Sequence, residues 1–225
     1  LNDSPSFLLG FNRTDTPQII SDNVLKLLTG FDNEIYYALM IDQIKQQGFH
    51  AVDNHPDVRA RLFALLPVLN FRTFFSIINK SKTPFKELID NKEETKVYLL
   101  ALDKLLKGRF NNRVDKNIFI FEELQFKEKS QQKILDEYFA PYMKDGNVDY
   151  RIVGKEEINL AIIDYMNYIF HTLLPAKDLN KVQRMVDNFD LIKPKIAFIN
   201  ILHSDTFFSR EKTFTINEVV QSYGR

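Results

Sequence analysis

Residues 150–174 read YRIVGKEEINLAIIDYMNYIFHTLL: a short strand, Tyr150 to Val153, leads into an almost wholly apolar helix, Ile158 to Leu174, with one carboxylate at its middle. Asp164 follows Ile162 and Ile163 and precedes Tyr165 and Met166. At 3.6 residues per turn its neighbours on one face are Leu160, Asn167, Tyr168 and, two turns on, His171. A carboxylate so placed must reach solvent, a partner or a metal, because an unpaired buried one takes up a proton at large cost. Asp164 is the leading candidate for a functional residue.

The same strand-then-helix order recurs upstream. Asn117 to Phe121 (NIFIF) and Phe71 to Asn79 (FRTFFSIIN) are rich in β-branched and aromatic residues and read as central strands, and Phe7 to Asn12 is an apolar run of strand length. Helices are expected over Val24 to Leu28 with Ser21 or Asp22 as cap, over Glu34 to Gln47, from Asp57 to Leu66, over Lys92 to Lys107 and over Ser130 to Phe139. In the fourth of these, Val97, Leu100 and Leu105 are expected on one buried face. Gly30, Gly48 and Gly108 are read as stops. The alternation argues for an α/β fold, a mixed sheet flanked by helices with some parallel pairing. Past Pro175 the character changes: Leu179 to Phe189 is amphipathic and Ile196 to Leu202 fits either a strand or a buried helix. We read 1–174 as the α/β domain and 175–225 as a helical C-terminal extension packed on it. The apolar run and Phe207-Phe208 would let that extension support a homo-oligomer.

Composition narrows the chemistry. With no cysteine, disulfides, thiolate metal sites and cysteine nucleophiles are excluded, and the chain suits a reducing, cytoplasmic setting. Lys and Arg balance Asp and Glu at 30 each, so a nucleic-acid partner would need a local basic patch. Lys127, Lys129 and Lys133 form one candidate patch and Lys177, Lys181 and Arg184 another, both at helical spacing. The N-terminus has no secretory pattern, and the Asp164 helix is too short and too interrupted for a membrane span. The first residue is Leu, which reads as a fragment or a processed product.

Gly-rich phosphate loops, HExxH and GxSxG are missing, leaving carboxylates, histidines and lysines as candidates. Glu122 and Glu123 stand at the exit of the NIFIF strand, where α/β sheets gather ligands, and alternation lets at most one face a given pocket. With Asp164, one of them could bind Mg²⁺ or Mn²⁺, ions that favour carboxylates and water. His50, Asp53 and His55 cluster in a polar loop and could bind a metal or move protons near neutral pH. Lys80 ends the FRTFFSIIN strand and could contact a phosphate. His171 could ligate or hydrogen-bond alongside Asp164.

An ordered set of segments carries a resemblance: Phe49-His50-Ala51, then Asp57-Val58-Arg59-Ala60-Arg61, the strand Phe71 to Asn79 closing on Lys80, Tyr98-Leu99-Leu100, Ile118 to Phe121, and Leu160-Ala161-Ile162-Ile163-Asp164-Tyr165. From about Phe7 to Leu174 the chain resembles domain of unknown function 3800, a family of bacteria and phages ascribed a ribonuclease-H-like fold. The resemblance implies a metal-dependent nuclease or other phosphodiester-acting hydrolase. Glu122 and Asp164 would hold Mg²⁺ or Mn²⁺, with His50, Lys80 and Glu123 as catalytic residues. Family members open with a strand ending in Asp-Glu-Ser-Gly. This chain has none, Asp3-Ser4 being a poor substitute, and it carries Gly48 where many members have Glu. Those departures support an alternative: a catalytically inactive binding or scaffolding module of phage, mobile-element or defence origin.

Overall fold

The computed structural model describes residues 4–31, 37–110 and 116–225. Its strands are β1 (Ser6–Arg13), β2 (Arg72–Asn79), β3 (Asn117–Glu122), β4 (Val148–Val153), β5 (Ile196–Ile201) and β6 (Thr206–Ser209). Its helices are α1 (Pro17–Thr29), α2 (Ala38–Gln47), α3 (Pro56–Leu65), α4 (Phe85–Asp90), α5 (Glu94–Leu106), α6 (Gln131–Phe139), α7 (Leu160–Leu173), α8 (Gln183–Ile192) and α9 (Ile216–Gly224). The first turn expected for the second helix, with Ile35, and the Asp3 position lie outside the described residues. Among those residues no helix is long and apolar enough to cross a membrane.

The fold is α/β, with a mixed four-stranded sheet in the order β1-β2-β5-β6 and helices on both faces. β1 runs antiparallel to β2, β2 parallel to β5, and β5 antiparallel to β6. Alternation along β2 divides its side chains between two cores. Phe75 and Ile77 join the cluster containing Ile162, Tyr165, Met166 and Phe170 of α7. Phe74 packs with the aromatic cluster on the other face, and the Ser76 hydroxyl donates to the Ala101 carbonyl of α5 at 3.1 Å. On β1, Leu8 packs into the α7 side, while Phe7, Leu9 and Phe11 pack toward α5 and β3. Gly10 faces α7, where a Cβ would come within 2.5 Å of Asn167 Oδ1 and 2.6 Å of Ile163 Cδ1, so glycine lets that helix close onto the strand.

Two expectations change. The segment after Pro175 is not purely helical: it supplies β5 and β6, two of the four strands of the main sheet. Ile196, Phe198, Ile199 and Ile201 are buried because β5 sits between β2 and β6, a pairing that local sequence pattern does not encode. The NIFIF and YRIV strands form a separate two-stranded parallel sheet, β3 with β4. It is packed to the rest by Phe110, Phe119, Phe139, Tyr142 and Tyr150, and the stacked pairs Phe110–Tyr142 and Phe139–Tyr150 have centroids 4.0 and 5.1 Å apart.

Helix boundaries differ where capping chemistry overrides periodicity. α1 begins at Pro17, whose fixed φ suits the first helical turn, well before Ser21 and Asp22. α3 is capped by His55, whose Nδ1 accepts the Asp57 N–H at 3.3 Å, and Asp57 lies inside its first turn. Leu100 is 47% exposed, so the buried face of α5 is Val97, Tyr98, Ala101, Leu102 and Leu105 instead.

A candidate acidic centre between two sheets

α7 presents its fully buried side chains to the core and leaves Asp164, Asn167, Tyr168 and His171 as its less buried stripe. Asp164 is brought against the loop that follows α2. Gly48 ends α2 with its N–H on the Ile44 carbonyl at 2.8 Å and adopts φ +79°. A Cβ there would lie 2.0 Å from the Lys155 carbonyl oxygen, so only glycine lets the loop press against the backbone beyond β4.

The loop is then fixed residue by residue. The His50 N–H donates to Asn54 Oδ1 at 3.0 Å, and the Tyr165 hydroxyl donates to the same oxygen at 2.7 Å. The Ala51 N–H donates to Asp164 Oδ2 at 2.7 Å, while Arg59 Nη1 donates to the carbonyls of Ala51 and Val52 at 3.0 and 3.2 Å. Asp164 thus closes a contact 113 residues apart in sequence. His50 Nδ1 stands 3.8 Å from Asp164 Oδ2, beyond hydrogen-bond range, and its Nε2 is buried without a partner.

Glu122, at the end of β3, lies within electrostatic reach of Asp164. Gln131, buried at the start of α6, grips the strand exit by donating to the Glu122 carbonyl at 2.9 Å and accepting the Leu124 N–H at 2.7 Å. The half-buried Glu122 carboxyl lies within the field of Asp164, Lys155 and His50. Burial raises its pKa, the Asp164 charge raises it further, and Lys155 and His50 pull it back. Burial likewise raises Asp164, against the Ala51 N–H and the positive fields of His50, Lys155 and His171. His171 is held below its ordinary value, first by desolvation; Asp164 raises it and Lys80 lowers it.

His50 and Asp164 therefore stand side by side, with Glu122 within electrostatic reach of both. Glu123 does not join them: its N–H extends the ladder to the Val153 carbonyl at 2.9 Å, alternation turns its side chain from that of Glu122, and it is exposed. Lys80 follows β2 with its N–H on the Pro5 carbonyl at 2.9 Å, and its charge is felt at His171, two turns along α7 from Asp164. The expected His50–Asp53–His55 cluster does not form, because His55 is spent capping α3 and Asp53 is exposed.

Lys155 is a further participant, lowering the pKa of both Glu122 and Asp164. A lysine just past a short strand carries no local signal, and only the Gly48 contact brings it in. Among the described residues no group of three or more His, Asp or Glu side chains is placed to hold a metal ion. Of the basic patches, Lys129 is paired with Glu137, whereas Lys177, Lys181 and Arg184 are exposed. No family model, curated protein or solved structure matches the chain.

Proposed function

We propose that the chain is a divalent-metal-dependent, phosphodiester-acting protein of ribonuclease-H-like type, with its centre at Glu122 and Asp164. One observation carries this reading: two carboxylates from β3 and α7 share one field, and the ionised form of each is disfavoured by burial. A cation relieves that imbalance.

The donor set suits Mg²⁺ or Mn²⁺, which accept one or two carboxylates and complete their shells with water and substrate oxygens. Glu122 and the Asp164 oxygen not engaged by Ala51 would hold the ion. Bound there, it would supply charge for the developing phosphorane and a more acidic water. The chain's own residues act around it. Lys155 tempers the negative field, His50 offers an unpartnered Nε2 for a proton, and Lys80 and His171 extend the polar stripe of α7 toward the end of β2.

The experiment is hydrolysis of single- and double-stranded DNA and RNA with Mg²⁺ or Mn²⁺, alongside Asp164→Asn and Glu122→Gln. The proposal expects metal-dependent cleavage that falls at least a hundredfold in each variant. Cleavage indifferent to both substitutions, or no cleavage and no metal-dependent rise in Tm, overturns it.

A second reading, an inactive binding or scaffolding module, draws on a different observation: Asp164 already has a structural task, holding the loop through the Ala51 N–H. Asp164→Asn keeps an acceptor oxygen there. On this second reading it leaves partner binding intact, where Asp164→Ala does not.

A further inference from the structure

At the opposite end of β2 from Lys80 lies a polar pocket of about 370 Å³, whose walls include Arg13, Asp15, Arg72, Arg210 and Phe74. Arg72 opens β2 and Lys80 follows its last residue, so roughly 26 Å of strand separates this pocket from that end of the sheet. The arginines come from three distant parts of the chain. Arg13 ends β1, Arg72 begins β2, and Arg210 follows β6, with its N–H on the Ala197 carbonyl at 3.2 Å.

Two features set this cluster apart from an ordinary solvated surface. Arg13 and Arg72 are direct cross-strand partners in the antiparallel β1–β2 ladder, where like charges repel. Their only close carboxylate among the described residues is Asp15, 3.9 Å from Arg13 and 81% exposed. Further cations crowd in behind: Arg109 lies over the rings of Phe74 and Phe198 at 5.3 and 4.2 Å with its Nε buried and unpartnered, and Lys195 feels the charge of Arg72. In a chain of zero net charge, Arg13, Arg72 and Arg210 thus share one pocket whose wall, among the described residues, carries a single carboxylate, Asp15, with Glu211 following Arg210 in the chain. Such a field concentrates anions, and guanidinium groups present paired N–H donors that match phosphate oxygens.

We propose that this pocket binds the phosphate groups of a nucleotide, free or within a nucleic-acid strand, with Arg13, Arg72 and Arg210 as the phosphate ligands and Phe74 as a wall. The assignment is independent of hydrolysis at the acidic centre. Arg72 also donates to the Pro194 carbonyl at 2.8 Å and supports the fold, so the deciding variant is Arg13→Ala/Arg210→Ala.

Binding is measured on the full chain in EDTA, which removes any metal at the acidic centre. The probes are a fluorescein-labelled single-stranded 12-mer of DNA or RNA by anisotropy, and AMP and inorganic phosphate by calorimetry. The expected result is binding of the 12-mer, of AMP or of both, weakened about tenfold or more in the double variant. For the 12-mer, the salt slope should fall by about 1.4, roughly 0.7 for each lost phosphate contact on a single strand. AMP alone identifies a free nucleotide, and the 12-mer alone identifies a strand. Because EDTA silences any metal at the acidic centre, failure here is distinct from failure of the hydrolytic reading. Arg13→Ala, having shed the like-charge pair, should melt no lower than the parent without ligand. Binding of none of the probes, inorganic phosphate bound as tightly as either nucleotide probe, or parental affinity in the double variant would each overturn the proposal.

Discussion

The acidic centre and the arginine pocket are built from charges of opposite sign under opposite constraints. Glu122 and Asp164 are drawn inward by a strand exit and an apolar helix, so burial dominates their chemistry and raises both pKa values. Arg13, Arg72 and Arg210 stand exposed at a strand end, two of them as cross-strand neighbours of like charge. The acidic centre is locked by hydrogen bonds from three elements, while the basic one is held by sheet register. A chain with no net charge can therefore carry two strongly polarised regions. Composition averages them away.

The sharpest way to break this contrast is at Gly48. Gly48→Ala combines a positive φ with a Cβ 2.0 Å from the Lys155 carbonyl. It should cost about 3 kcal/mol in urea denaturation, the upper range for such backbone strain. If the chain still folds, nucleotide binding at the arginine pocket should survive. Loss of both together would show that the regions are coupled.

Next is Asp164→Ala, which leaves the Ala51 N–H without its charged acceptor. A loss of about 2 kcal/mol is expected, with Asp164→Asn losing less than half of that. Equal losses in the two variants would mean that the loop is held by Asn54 and Arg59 alone.

A smaller effect concerns pH. Because Glu122 and Asp164 have folded-state pKa values above their ordinary ones, the folded chain binds more protons than the unfolded chain across that interval. The contribution of these two carboxyls to stability should therefore fall as pH rises from the ordinary carboxylate range through the raised values, against the opposite contribution of His171 and His203, whose pKa values burial lowers. Glu122→Gln should flatten that fall and melt slightly above the parent at pH 7, while Mg²⁺ or Mn²⁺ should raise Tm in the parent more than in the variant. Melting curves of parent and variant from pH 4 to 8, with and without metal, decide this, and a parent-minus-variant difference in Tm that climbs steadily over that span would refute the sign. The smallest effect is at Glu123: Glu123→Gln should leave both Tm and any hydrolysis unchanged, since its exposed side chain lies off the cluster.

Legibility in the sequence followed the range of the interaction. β1, β2, β3 and α7 were readable because alternation and helical spacing are local, and Asp164 stood out because one charge interrupts an apolar run. His50 and Glu122 were readable as candidates, but nothing local distinguished Glu122 from Glu123 until the strand's phase was fixed against β4. The capping role of His55 was not legible, because a histidine two residues before Asp57 can cap a helix as well as serve a site. The arginines of the basic pocket were not legible at all. Positions 13, 72 and 210 share no motif and become neighbours only through the pairing of β1 with β2 and of β5 with β6.

Side-chain period, helix content and the isolated carboxylate of α7 were dictated by the amino-acid order alone, because they depend on residues a few positions apart. The insertion of β5 between β2 and β6, the separation of β3 and β4 into their own sheet, and the meeting of Glu122, His50, Lys155 and Asp164 were decided by tertiary structure. Backbone hydrogen bonds between strands are chemically alike wherever they form. Which strands pair, and which charges become neighbours as a result, is settled by how the whole set of apolar faces is buried at once.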